Sequence, residues 1–260
     1  MTLFWHELKR NKISLIIWTS VLSFMMLICV VIYPEMKAQM ENLNQMLADM
    51  GEFTEAIGMD GYSIGDFVGY MAMECGEILG IGGALFAALG GISALAGEQK
   101  DGTAEFLLTH PVSRTRIAIT KLLSVITRVV VMNAVVLGVS ALATVMIGEH
   151  KDSGVLIFVW FVYLVMQLEV ALITFGLSGI IKSGGIAIGL GVPFVFYFIN
   201  LAANLLDELE FLKYFTPFGY ADGAALASGA DFEVFYFLAG LVLTLAVVVP
   251  GFVHFNKKDI

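Results

Sequence analysis

The stretch GVLIFVWFVYLVMQLEVALITFGLSGII, residues 154–181, decides the fold class of this chain. It carries a single charged side chain, Glu169, and it exceeds the roughly 20 apolar residues that a helix needs to cross the hydrocarbon core of a bilayer. A backbone in lipid must satisfy its own hydrogen bonds, which a helix does within one segment. The stretch therefore predicts a transmembrane helix.

The composition extends this interpretation to the whole chain. Of the 260 residues, 58% are hydrophobic and 14% are charged, against about 25% charged residues in a typical soluble domain. These values exclude an ordinary cytosolic enzyme and a disordered chain. The net charge of −9 argues against a nucleic-acid partner, which would require a basic face. The two cysteines, Cys29 and Cys75, lie in apolar runs and indicate buried side chains rather than a disulfide scaffold.

Five further apolar stretches have the length of a membrane span or nearly so. We predict an all-α membrane protein with one transmembrane domain over residues 1–260. Its six spans lie at about 13–33, 78–96, 117–147, 154–181, 185–205 and 233–253. The first span follows Lys9, Arg10 and Lys12 and lacks a small-residue cleavage site, so we interpret it as a retained span rather than a signal peptide.

The basic residues predict the orientation. With the N-terminus inside, only Lys37, Lys151 and Lys213 of the 14 lysines and arginines fall outside. Because lysine and arginine concentrate in cytoplasmic loops, we expect both termini in the cytoplasm.

The outer segment from Pro34 to about Glu77 is rich in methionine at helical spacing. Thioethers can bind Cu(I), but no cysteine or histidine joins the cluster. We therefore predict an amphipathic helix and no metal site. In the second span, small residues recur every three or four positions, which fits either packing within the chain or a dimer face.

The inner segment Gly97–Lys121 reads GEQKDGTAEFLLTHPVSRTRIAITK. Thr103 can cap a short helix that ends before His110-Pro111, and Ser113 can cap the next helix. The short helix would offer Phe106, Leu107 and Leu108 to a cytoplasmic partner; a plain surface turn is the alternative.

The outer segment 206–232 contains two short amphipathic helices around the break Thr216-Pro217-Phe218. They are too short to span and too apolar for a free loop, so we predict a re-entrant or interfacial hairpin.

Two charged residues lie at membrane depth in consecutive spans. Arg128 and Glu169 lie roughly 13 and 16 Å from the inner ends of their helices at 1.5 Å per residue. Because an unpaired charge there is costly, we predict an Arg128–Glu169 ion pair. It would serve either as a clip between helices or as a gate or substrate contact.

Catalytic motifs are missing from the sequence. It contains no G-x-x-x-x-G-K-[ST], no H-E-x-x-H and no G-x-S-x-G. We therefore predict no catalytic residues, no cofactor within this chain, and no enzyme activity of its own.

The inner segment also resembles the permease subunits of type-2 ABC exporters, through Gly102-Thr103-Ala104-Glu105-Phe106-Leu107-Leu108 and Pro111-Val112-Ser113-Arg114. The Phe4–Lys12 stretch looks like that family's elbow helix, and Thr216-Pro217-Phe218-Gly219-Tyr220 looks like its re-entrant segment before the last span. The basic end, Phe255–Ile260, resembles the family's tail.

The resemblance implies a multi-pass half-transporter in the cell membrane. It would pair with a second permease half, identical or not, and with cytoplasmic ABC ATPase subunits that bind ATP and Mg²⁺. The segment after the second span would be the coupling helix. The residues expected to transmit ATPase motion are Glu98, Gly102, Thr103, Glu105, Phe106, Leu107, Leu108 and Arg114. The re-entrant residues would be Pro217, Phe218 and Tyr220.

The substrate that the resemblance implies is hydrophobic or amphipathic, such as a peptide, a drug or a lipid-like molecule. A stand-alone secondary transporter or channel is the alternative function. That class would require an inverted repeat or an intramembrane coupling site.

Overall fold

The computed structural model describes residues 2–48, 67–100, 113–149, 153–181 and 185–257. All regular secondary structure in these ranges is helical, and six helices are long and apolar enough to cross a membrane. The predicted all-α fold with six spans is confirmed.

A short helix at Thr2–Arg10, the elbow helix, precedes the spans. Spans 1 to 6 are, in order, Lys12–Gln39, Phe67–Gly97, Arg114–Ile147, Gly154–Ile180, Ile186–Leu205 and Val234–Lys257. Span 3 shows how local sequence sets the ends of a helix. The Ser113 hydroxyl accepts a hydrogen bond from the Arg116 N–H at 3.3 Å, and Gly148 ends the helix in the left-handed region at φ 79°.

Two boundaries differ from the prediction. The helix of span 1 runs without interruption from Lys12 to Ala48 through Pro34, where we expected a new helix to begin. Proline is tolerated within membrane helices, because neighbouring groups can satisfy the freed carbonyl. Span 2 begins at Phe67 rather than near Ile78, because an α-helix over Phe67–Cys75 continues directly into a π-helix over Gly76–Gly83 and then into the α-helix that starts at Ala84. Met36, Met40 and Met46 of the expected methionine-rich helix lie in the continuous helix Lys12–Ala48, whereas its last members, Met50 and Phe53, lie outside the described residues.

Spans 2 and 4 form the centre of the bundle. Of their apolar windows, 67% and 56% are buried, against 17% for each of spans 1, 5 and 6. Span 4 packs mainly against spans 2 and 6, whereas span 3 packs mainly against span 1. The side chains exposed on the outer spans are largely apolar, as a lipid-facing surface requires.

Glycines allow the central helices to approach closely. A Cβ added to Gly91 of span 2 would collide with the Ala171 carbonyl of span 4, and one on Gly176 would lie 2.7 Å from the Val247 carbonyl of span 6. Backbones in contact at both crossings fit the small-residue packing of membrane helices.

The bundle has two distinct ends. The elbow end carries the elbow helix, the last residues of spans 2, 4 and 6, and the first residues of spans 1, 3 and 5. The hairpin end carries the segment between spans 5 and 6, which forms 3-10 helices at Asp207–Phe215 and Pro217–Tyr220 and a short α-helix at Gly223–Ala227. The elbow end corresponds to the predicted cytoplasmic side.

Candidate functional site

A buried ion pair fastens the elbow helix to span 3. The Lys121 ammonium donates to Glu7 Oε1 at 2.6 Å, and the two side chains are only 2% and 7% exposed. The Asn11 amide donates to the Glu7 backbone carbonyl at 3.0 Å, which extends the contact to the start of span 1. A desolvated pair of this kind holds its two helices in one arrangement, since separating them would leave a buried charge.

The predicted coupling residues lie between Glu98 and Arg114, shortly before Lys121 in the chain. Glu98 lies in the last turns of the helix Ala84–Lys100, and Arg114 is the first residue of span 3. The other coupling residues, Gly102, Thr103, Glu105, Phe106, Leu107 and Leu108, lie outside the described residues. The segment therefore joins spans 2 and 3 at the elbow end, and its role stays a prediction.

A polar network ties spans 2, 3 and 4 together in the interior. Gln167 Oε1 accepts from the Asn133 amide at 2.6 Å, and Gln167 Nε2 donates to the Leu79 carbonyl at 2.9 Å. The Leu79 carbonyl belongs to the π-helix of span 2, and Gln167 is fully buried. Asn133 and Gln167 therefore bridge the three helices.

The predicted Arg128–Glu169 ion pair is wrong. Both residues are described, and Arg128 Nε donates instead to the Ser124 carbonyl at 3.3 Å, while neither Glu169 oxygen has a hydrogen-bond partner in the described structure. Helical rotation explains the error. Gln167 faces spans 2 and 3, and a residue two positions later points about 200° away at 3.6 residues per turn, so Glu169 faces span 6.

Glu169 lies in a tight contact with span 6 and the hairpin. It is 2% exposed, and a Cβ on Gly240 would lie 2.6 Å from Glu169 Oε2. Tyr220 lies beside the carboxylate without a hydrogen bond of standard geometry. Burial raises the pKa of the Tyr220 hydroxyl.

The predicted re-entrant residues lie at the buried turn in the middle of the hairpin segment. Pro217, Phe218 and Tyr220 are buried in one 3-10 turn. The Thr216 hydroxyl donates to the Phe196 carbonyl at 3.0 Å and accepts from the Phe218 N–H at 3.2 Å. These bonds anchor the segment to span 5, and its re-entry into a membrane stays a prediction.

Two cavities flank the interior. One of about 130 Å³ at the hairpin end is lined by Asn200, Asn204 and several acidic side chains. A larger one of about 200 Å³ at the elbow end is lined by Glu7, Lys121 and Arg128 among others. Within the described residues, no cluster of three or more His, Cys, Asp or Glu side chains could hold a metal ion.

Comparison with known protein families identifies a match along the whole chain. The family model described as ABC-2 family transporter protein matches residues 1–260. No curated protein matches the chain.

Proposed function

The chain belongs to the ABC-2 family of transporter proteins, and from this we propose that it is the membrane-spanning half of an ATP-driven exporter. It is a multi-pass membrane permease subunit with six apolar helices. The observation that carries the proposal is that one transporter family model matches the same residues 1–260 over which the six spans extend.

The proposed partners follow from the family. Membership implies association with ABC ATPase subunits and dimerisation of transmembrane halves. In this proposal, ATP and Mg²⁺ bind the ATPase subunits, the second half is this chain or a relative, and the complex lies in the cell membrane with its elbow end in the cytoplasm.

The packing at the elbow end supports a lever mechanism. The proposed coupling segment continues directly into span 2 on one side and span 3 on the other. The Glu7–Lys121 pair joins span 3 to the elbow helix, and the Gln167 network joins spans 2 and 3 to span 4. A displacement of the segment by an ATPase would thus move these helices together, which is how rigid elements transmit a rocking motion.

The proposed substrate is a hydrophobic or amphipathic molecule, as the resemblance to type-2 ABC exporters implies. The two cavities described above, of about 200 and 130 Å³, are smaller than the roughly 300–1,000 Å³ of pockets for drug-sized ligands. In this proposal, a drug-sized substrate would therefore travel between two halves rather than through either of these cavities.

Transport by inside-out vesicles tests the export step. Vesicles that contain the permease and its ATPase should accumulate a fluorescent amphipathic peptide or dye with ATP, but not with a non-hydrolysable ATP analogue. A Phe106→Asp variant should lose this accumulation, because an aspartate would disrupt the apolar ridge offered to the ATPase. Phe211→Asp, at the hairpin end where Phe211 is 55% exposed, is the matched control and should transport normally.

One observation favours the second candidate, a proton-coupled secondary transporter. A buried carboxylate without a hydrogen-bond partner, as at Glu169, is the kind of intramembrane group that such carriers use. In the same vesicles, accumulation driven by a pH gradient without ATP and abolished by Glu169→Gln would support this function over ATP-driven export.

A further inference from the structure

Glu169 is enclosed by span 6 and by the hairpin. Its side chain is buried, and span 6 lies directly against it at Gly240, where a Cβ would be 2.6 Å from Glu169 Oε2. On the hairpin side, the Tyr220 ring packs edge-on against the rings of Phe232 and Phe237, with centroids 5.8 and 5.4 Å apart. The carboxyl group therefore lies between backbone and aromatic surface.

The surroundings of Glu169 carry no compensating charge in the part of the chain that the structure describes. Across the described ranges, Glu169 takes part in no ion pair, and neither of its oxygens has a hydrogen-bond partner. Tyr220 is the titratable side chain that acts on it. Span 6 adds the uncharged Thr244, one turn after its contact with the carboxylate, and span 5 contains no charged residue. Spans 2 and 3, with Arg128, lie on the side of span 4 that Gln167 faces.

This environment fits a carboxylic acid better than a carboxylate. A buried carboxylate is stabilised by two or three hydrogen-bond donors or by a nearby cation. The Tyr220 hydroxyl has one proton to donate, so it can serve one of the two Glu169 oxygens. One neutral donor does not offset the cost of burying a charge. The protonated acid carries no charge and avoids that cost.

The cavity at the hairpin end connects this site to the surface. It has a volume of about 130 Å³, and Tyr220 is among its lining residues. Asp222, Asp231 and Glu233 line the same cavity and are exposed, so proton acceptors lie between bulk water and Tyr220. Because Tyr220 borders the cavity and also acts on Glu169, it lies between the two.

The hairpin is the element that can yield at this site. Spans 4 and 6 are in backbone contact at Gly176, and separating them would disturb the centre of the bundle. The hairpin is held through the Thr216 hydroxyl, which donates to the Phe196 carbonyl at 3.0 Å, and through the Gly223 N–H, which donates to the Tyr163 hydroxyl at 3.0 Å. These bonds can break while both spans stay in place.

We propose that Glu169 is a proton-binding site and that the hairpin closes over it only while the proton is bound. When the carboxyl group gives its proton to water in the cavity, the carboxylate needs donors that the closed packing lacks. The hairpin then moves away and admits water. The closed arrangement holds one proton more than the open one, so its stability is full at low pH and falls as the pH rises. The proposal depends neither on ATP-driven export nor on proton-coupled transport.

Infrared spectroscopy of the purified full-length chain tests the bound proton. At about pH 7, exposed carboxyl groups are ionised, so the C=O band of a protonated carboxyl group should be present in the parent chain and missing from Glu169→Gln. The matched control is Glu210→Gln, which removes a hairpin carboxylate that is 60% exposed and should keep the band. A parent chain without the band, or a band of full intensity in Glu169→Gln, would overturn the proposal.

Thiol labelling of Cys75 tests the movement of the hairpin. The hairpin packs on this part of span 2, because a Cβ on Gly223 would lie 2.6 Å from the Ala72 carbonyl, one turn before the buried Cys75. With Cys29→Ser as the background, Cys75 is the only thiol. Labelling should therefore accelerate when the hairpin opens.

The labelling rate of the parent is divided by that of Glu169→Gln at each pH, which cancels the titration of the thiol itself. This ratio should rise about tenfold or more between about pH 6 and pH 9, since one released proton changes an equilibrium tenfold per pH unit. Glu210→Gln should follow the parent. A ratio that does not change with pH would overturn the hairpin movement. If Glu169→Gln does not fold, the parent is compared with the detergent-unfolded chain, and an infrared band that persists where labelling accelerates would overturn it.

Discussion

The crossing of spans 4 and 6 offers a quantitative test of the architecture. In a Gly176→Ala variant, the new Cβ would lie 2.7 Å from the Val247 carbonyl oxygen and 2.8 Å from the Val248 Cα. Ordinary contact begins at 3.4 Å, so the two backbones must separate by about 0.7 Å, the difference between 3.4 and 2.7 Å. Because both clashing atoms belong to the backbone, no side-chain rotation can relieve the clash.

The expected cost is that of overpacking, about 1–3 kcal/mol. The matched control is Gly191→Ala in span 5, where nothing lies within 4 Å of the new Cβ. Both variants gain the same helix propensity from alanine, so the difference between them isolates the clash. At roughly 2–4 °C per kcal/mol for a chain of about this size, Gly176→Ala should unfold about 2–12 °C below Gly191→Ala.

The native cysteines provide the assay. Cys75 is fully buried, so a thiol-reactive dye should label it only as the bundle opens on heating. Coinciding labelling midpoints for Gly176→Ala and Gly191→Ala in the same detergent would refute the close crossing of spans 4 and 6.

Three further predictions use the same labelling midpoint. Glu7→Gln should destabilise the chain by about 3–5 kcal/mol because it removes the carboxylate that faces a buried ammonium, and adding Lys121→Gln should recover part of that loss. If the double variant loses as much stability as the two single variants together, the pair is refuted. The losses of unfolding free energy caused by Arg128→Gln and Glu169→Gln should add within about 0.5 kcal/mol in the double variant, since the residues do not touch. A double variant clearly more stable than this sum predicts would restore the ion pair that we reject. Gln167→Leu should lower the free energy of unfolding by about 1–3 kcal/mol, because it leaves the buried Leu79 carbonyl and Asn133 amide without this partner. An unchanged labelling midpoint would exclude that network.

The six spans were predictable because hydropathy alone determines them. The apolar stretches at 117–147, 154–181 and 185–205 matched the helices within a few residues. The start of span 2 was harder to place, because the glycines and Glu77 near its beginning lower the hydropathy of a region that the structure forms as π-helix. The continuation of span 1 through Pro34 was missed, because proline is a reliable breaker only outside membranes.

Contacts between helices were less predictable than the helices themselves. The Arg128–Glu169 prediction assumed that consecutive spans pack face to face, but span 4 packs mainly against spans 2 and 6. The Glu7–Lys121 pair was missed, although a signal existed: Lys121 lies within a largely apolar helix, and Glu7 is the one acid in the elbow helix. Choosing between Glu7 and other acids requires the position of the elbow helix, which no local pattern supplies.

The central claim is that this chain is the permease half of an ABC exporter. The most direct test is purification of the tagged chain from its native membrane in mild detergent, with mass spectrometry and an ATP-hydrolysis assay of whatever co-purifies. We predict a stoichiometric ABC ATPase that is lost from Phe106→Asp and retained by Phe211→Asp. A chain that purifies alone across several detergents, with no ATPase activity, would contradict the account.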